Sequence, residues 1–267
     1  MTCLNHASLA ASLAALTVAA DAAAASKPKS PAGKRPAVIV IMTDQQTAGA
    51  MSCAGNPWVE TPAMDALAAD GVRFTRAYCP YPLSGPCRAA LVTGRMPFEV
   101  GAFDNAIRPN DADMRAGIGH RLAEAGYECL YAGKWHVPEV NLPDSGTGFR
   151  RISKMNDPAL ADACDAALKE YDGQKPLFLV ASLLNPHEIC EYGRNETLHY
   201  GELAPFSTDE CPNLPANFMP STYAAEALTL EHASSPRYHD TYTYTQDDWR
   251  RYLYAYYRLV ERVDREV

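Results

Sequence analysis

An α/β fold with a mostly parallel sheet sandwiched by helices follows from three observations on this 267-residue chain. Short apolar runs alternate with segments of helical period, Gly, Pro and Asp punctuate the boundaries, and chemistry-bearing residues follow three of the runs at once. Parallel strands need crossover helices, and helices on both faces leave such strands buried, so unbroken apolar runs are their sign. Ligand sites in these sheets lie at the carboxyl ends of the strands. With 47% hydrophobic residues, the chain can bury one substantial core and a second small one.

Residues 37–42, Ala-Val-Ile-Val-Ile-Met, read as a strand buried on both faces, and Asp44 and Gln45 follow it. A helix is expected over 61–71, with Thr61 as N-cap, Pro62 at its first position and Gly71 as its stop. Residues 72–77 then read as a short strand that leads through a Pro-rich turn to Ser84. Pro86 presets the first turn of a short apolar helix, so that free backbone amides and the Arg88 guanidinium can face negative charge near Ser84. Another helix covers 117–125 and ends at Gly126; the strand 127–132 delivers Gly133-Lys134-Trp135-His136. Asp157-Pro158 starts a helix running to 171, and the apolar strand 176–184 delivers Asn185-Pro186-His187. From 188 to 245 the chain is polar, Pro-rich and weakly periodic, a long excursion suited to shaping a cleft. Leu253, Tyr256, Tyr257, Val260 and Val263 then recur at helical spacing, and the sequence stops without a Gly or Pro cap, as though cut inside or just after a helix.

The formal net charge of −8 argues against non-specific nucleic-acid binding, which needs a basic face. Residues 1–25 carry the apolar, small-residue stretch of a secretory signal, too short and too interrupted by Asp21 for a membrane span, and 26–35 read as a polar linker. Export to the periplasm or the exterior is therefore expected. Eight cysteines show no C-x-x-C pair; Cys129 and Cys164 read as core residues, and Cys190 and Cys211 could bridge a polar loop.

The richest stretch is Ser84-Gly85-Pro86-Cys87-Arg88-Ala89-Ala90-Leu91-Val92-Thr93-Gly94-Arg95. Its pattern, Ser/Cys-x-Pro-x-Arg followed by Leu-x-Thr-Gly-Arg, resembles the signature of the type I sulfatases of the alkaline phosphatase-like superfamily. Only Ser84, not Cys79 or Cys87, stands two before Pro86 and four before Arg88. The resemblance therefore marks Ser84 as the residue oxidised to formylglycine by a maturation enzyme, and a Ser there is similar to bacterial members matured by a radical enzyme. Asp44-Gln45 resembles the family's pair of metal ligands, usually two acids, which with Ser84 implies calcium, magnesium remaining open. Gly133-Lys134-Trp135-His136 resembles a block whose Lys and His bind the sulfate ester, and His187 resembles a later element placed as general acid to the leaving alcohol. Arg88 and the metal would stabilise the hydrated aldehyde and the developing charge.

What the resemblance implies is hydrolysis of a sulfate ester, with a sulfated carbohydrate as substrate, by the amino-terminal portion, 36–267, of a catalytic domain about twice as long. The Ser-Asp-His-Gly strand that carries the family's last metal ligands has no counterpart here. Two other readings stay open: a phosphate or phosphonate ester hydrolase using unmodified Ser84, and an inactive, anion-binding fragment. His120, His199, His232 and His239 match no block.

Overall fold

A computed structural model describes residues 35–106, 109–137, 147–238 and 240–267. The expected signal and linker, 1–34, lie outside the described residues, as does His239; of the His232 side chain nothing is described. In chain order the elements are β1 (Val38–Met42), α1 (Pro62–Asp70), α2 (Ser84–Thr93), α3 (Pro97–Val100), α4 (Asp111–Arg115), α5 (Ile118–Glu124), β2 (Glu128–Gly133), β3 (Arg150–Ser153), α6 (Asp157–Glu170), β4 (Leu177–Ser182), α7 (Ile189–Gly193), α8 (Glu226–Tyr238) and α9 (Gln246–Asp264).

The four strands form one parallel sheet in the order β1-β4-β2-β3. Met42 and Gly133 both pair with Ser182, so β1, β4 and β2 end level with one another. The period of two divides the sheet into faces. Cys129 and Tyr131 of β2 and Phe178 and Val180 of β4 pack with Val92 of α2, Met114 of α4, Trp135 and Phe149. On the opposite face Ala132 and Ala181 meet Leu160 of α6 and Val263 of α9, while Leu130, Leu177 and Leu179 meet Cys164 and Ala167 of α6. A third cluster seats Tyr256, Leu259 and Val260 of α9 against Val59, Ile189 and Leu198.

Several expectations are corrected. β1 is not buried on both faces: Val38, Ile39 and Ile41 are 40%, 49% and 42% exposed, because among the described residues β4 alone pairs with β1. Residues 72–77 form no strand. Among the described residues their β-branched and aromatic side chains have no neighbouring strand to pair with, and Val72 and Phe74 stand 79% exposed. Thr61 occupies the N-cap position of α1, but its hydroxyl bonds Ser52 and Asp65 rather than the helix amides. Those amides are met from across the molecule by Asp264 of α9, which accepts from the Ala63 and Met64 N–H groups at 3.0 and 2.9 Å. Cys190 and Cys211 are not bridged: each thiol is free and donates elsewhere, to Gln45 and to the Ser207 carbonyl.

Candidate functional site

Level strand ends bring the three sequence blocks to one rim. The backbone N–H of Lys134 donates to Ser182 O at 2.7 Å, Leu183 N–H to Met42 O at 2.8 Å, and Asp44 N–H to Asn185 O at 3.3 Å. Gly133 makes the first of these turns feasible. Its φ is +87°, and a Cβ there would stand 2.0 Å from Ser182 O, so a side chain is excluded both by the dihedral and by contact.

Helix α2 starts at Ser84, one helical turn before Arg88, so both side chains face Asp44. Asp44 Oδ2 receives the Arg88 guanidinium at 2.8 Å, the Lys134 ammonium at 2.7 Å and the Ser84 hydroxyl at 3.2 Å. Arg88 Nε also donates to Ser84 Oγ at 3.1 Å, and Nη1 donates to Lys134 O and Ser182 Oγ at 2.7 and 2.8 Å. The guanidinium therefore has no rotamer freedom left to lose when a ligand binds. Asp44, Arg88 and Lys134 are 8%, 5% and 5% exposed, and together they hold one uncompensated positive charge. That charge suits an anion.

Burial works to raise the Asp44 carboxyl pKa, but Lys134 and Arg88 outweigh it and hold the group below its ordinary range. Burial pushes the Lys134 ammonium down, with Asp44 opposing and Arg88 adding to the shift. His187 lines the same cavity as Ser84. Its imidazole and that of His136 both titrate below the ordinary value, first through burial and then through the neighbouring Lys134 charge. Gln45 takes a positive φ of 67°, and Tyr256 of α9 pins that turn by donating to Gln45 O and accepting from Thr47 N–H, each at 2.8 Å.

The free amides expected at the start of α2 are present only in part: no described partner meets the Ser84 N–H, but Gly85 N–H donates to Asn105 Oδ1 at 2.8 Å, Cys87 N–H donates to Leu83 O, and Pro86 has no N–H. Attraction for an anion thus falls mainly on Arg88 and Lys134. Sequence reasoning missed Asn105, Ser182, Tyr131 and Tyr256, which hold the predicted residues in place. It also missed Asp157, read only as a helix start. Asp157 is 2% exposed, and its carboxylate accepts from the Leu184 and Asn185 N–H groups at 2.7 Å each. Asn185 Nδ2 in turn donates to buried Glu188, which Arg262 of α9 also meets. This chain of contacts fixes the turn that carries His187.

The cavity in front of Ser84 measures about 470 Å³, with Asp44, Gln45, Arg88, Asn105 and His187 in its wall. A larger polar cleft, about 540 Å³ between the end of α7 and the start of α9, contains none of the predicted residues. Among the described residues no cluster of three or more His, Cys, Asp or Glu could hold a metal ion. Near one another, however, stand three oxygen donors of the kind a hard divalent cation takes: the Asp44 carboxylate, the Gln45 amide and the Ser84 hydroxyl. No described helix is long and apolar enough to cross a membrane.

Comparison with known proteins gives a consistent result. An N-acetylglucosamine-6-O-sulfatase of Bacteroides thetaiotaomicron is 41% identical over 133 residues, 50% of this chain and 23% of that protein. A Delta 4,5-hexuronate-2-O-sulfatase of the same species is 26% identical over 259 residues, 88% of this chain and 52% of that one. Among solved structures, a 2-O GAG sulfatase superposes with a TM-score of 0.72 at 24% identity, over 87% of this chain and 53% of the other. The chain thus spans at most about half the length of these relatives. The Sulfatase family model matches residues 36–267, and the chain belongs to the Sulfatase family.

Proposed function

We propose that this site hydrolyses sulfate esters, with Ser84 converted to formylglycine and a divalent cation, calcium in the first instance, held in part by Asp44, Gln45 and the residue at 84. The observation that carries the reading is the Ser84 hydroxyl held between the Asp44 carboxylate and the buried Arg88 guanidinium, with the buried Lys134 ammonium on the same carboxylate oxygen, at the level ends of β1, β2 and β4. Formylglycine supplies a hydrated aldehyde whose hydroxyl is the nucleophile, and the cation supplies Lewis-acid stabilisation of charge. The three oxygen donors fit part of a calcium shell, which takes six to eight.

The chain's own residues have defined tasks. Arg88, fixed by Lys134 O, Ser182 and Asp44, is preorganised to meet charge that develops beside residue 84. The Lys134 ammonium, sharing Asp44 with Arg88, binds the sulfuryl oxygens as a point charge. His187, on the cavity wall, donates a proton to the departing alkoxide. Its lowered pKa makes it neutral in the free protein at neutral pH, and an arriving anion favours the protonated, donating form.

A sulfated sugar is the proposed substrate, since the relatives above are named for N-acetylglucosamine-6-O- and hexuronate-2-O-sulfate chemistry. A formylglycine-generating enzyme is the required partner, and export is the proposed location. The competing reading has unmodified Ser84 attack a phosphate or phosphonate ester; the Ser84 hydroxyl already donates to Asp44, an arrangement that needs no oxidation. Mass spectrometry of the tryptic peptide 77–88 from protein co-expressed with the maturation enzyme separates the two. The sulfatase reading expects a loss of two hydrogens at Ser84 that survives reduction. An unmodified Ser84 in protein that turns over phosphate esters would establish the alternative.

A further inference from the structure

Asn105 stands in the wall of the Ser84 cavity and braces the first turn of α2, yet only one arm of its carboxamide is used there. We propose that the other arm binds substrate: Asn105 Nδ2 donates to a non-bridging oxygen of the anionic ester beside residue 84. The proposal rests on the sulfatase reading above and adds a substrate-contacting residue to it. Gly85 N–H can only donate, so the carboxamide atom that meets it at 2.8 Å is Oδ1, and Nδ2 lies on the opposite arm of the same plane. Among the described residues Nδ2 has no acceptor, and it is open to solvent rather than sealed in the protein.

The position of this donor is fixed. Gly85 lets the Asn105 backbone close on α2, since a Cβ there would stand 3.2 Å from Asn105 Cα and 3.0 Å from its Oδ1. On either side of Asn105, Phe103 O accepts from the Tyr81 hydroxyl at 3.1 Å, and the Asp104 carboxylate accepts from Ala106 N–H at 2.9 Å. A carboxamide held in this way has little rotamer freedom to lose when a ligand arrives.

The charged residues leave a place for such a donor. Of the five N–H groups of the Arg88 guanidinium, four already go to Ser84 Oγ, Lys134 O, Ser182 Oγ and Asp44 Oδ2. The Lys134 ammonium spends one of its own on Asp44. Gly85 N–H, which the start of α2 would otherwise present to an anion, is spent on Asn105 Oδ1. Nδ2 returns a donor at that corner, and its bond is strengthened when the acceptor carries charge.

Nitrogen-15 NMR of the unoxidised, metal-free protein, titrated with sodium sulfate, tests the proposal without calling on maturation, turnover or a bound cation. As sulfate saturates the site, the Asn105 side-chain amide protons should move downfield. Resonances that stay in place, or a protein that binds no sulfate, would overturn the proposal. Asn105→Asp separates contact from bracing, because a carboxylate keeps the acceptor for Gly85 N–H and turns the donor into an acceptor. Its Gly85 amide shift and its Tm should match the unaltered protein, while the sulfate Kd, followed at Arg88 Nε–H, rises about tenfold, as loss of a hydrogen bond to a charged group implies. Repulsion at a distance is screened by salt, so the titration is run at ionic strengths of about 0.1 M and about 1 M, where the Debye length falls from about 10 Å to about 3 Å. A rise that stays above about fivefold at the higher ionic strength is the lost contact, and a smaller one would overturn the proposal. If the variant fails to fold, the side-chain shift in the unaltered protein decides alone. The sulfatase reading stands or falls on the formylglycine peptide and on ester turnover, neither of which enters this titration.

Discussion

Replacing Asp44 by Asn removes the only anion from a buried cluster and leaves Arg88 and Lys134, each 5% exposed, facing an amide. Removing one partner of a buried ion pair costs about 3–5 kcal/mol, because the stranded charge has neither water nor counterion. One escape lowers the cost. Lys134 can lose its proton, and for a lysine of ordinary pKa that would cost about 4.6 kcal/mol at pH 7; burial has already pushed Lys134 down, so the true cost is smaller. The expected loss is therefore about 3 kcal/mol, or roughly 6–12 °C in Tm for a domain of this size. Urea unfolding in the presence of a chelator measures it free of any metal contribution. Adding Lys134→Met to the Asp44→Asn protein should recover more than half of the loss, since one stranded cation is gone. An Asp44→Asn protein as stable as the original, or no recovery in the double variant, would refute the reasoning.

Asp157→Ala should cost about 3 kcal/mol in urea unfolding, because two buried N–H groups lose their acceptor, and it should lower turnover through the displaced His187 turn. Gly133→Ala should cost on the order of 3 kcal/mol, since its Cβ meets backbone at 2.0 Å with φ at +87°; far-ultraviolet circular dichroism melts report it. His136 and His187 have folded pKa values below the unfolded value, so the unfolded chain binds more protons at mildly acid pH. Their effect on stability is absent above the unfolded pKa of about 6.5 and appears as a loss when pH falls below it. Added sulfate should raise the His187 pKa in an NMR titration, because an anion favours the imidazolium.

Much of the site was legible because each block follows a strand, and parallel strands with level ends must bring such blocks together. Asp44, Ser84, Arg88, Lys134 and His187 converge as their positions after β1, β2 and β4 and at the start of α2 demanded. The residues that hold them were not legible. Ser182 and Tyr131 read as strand residues and Tyr256 as a helix-face aromatic, and nothing in their local sequence says that they brace Arg88, Lys134 O or Gln45. Strand composition misled at 72–77, where propensity was present but a pairing partner was not, and at β1, whose apolar run predicts burial that a single neighbour cannot give. Short β3, α3, α4 and α7 span too few residues for a periodic signal. Helix α8, inside the stretch read as irregular, lacks a clear apolar stripe.

Turnover of an aryl sulfate by protein matured with the formylglycine-generating enzyme, set beside Ser84→Ala matured in the same way, tests the central claim most directly. The account predicts sulfate release that exceeds aryl phosphate cleavage and is abolished in Ser84→Ala while the fold is retained. Sulfate release that persists in Ser84→Ala, or a preference for the phosphate ester, would contradict it.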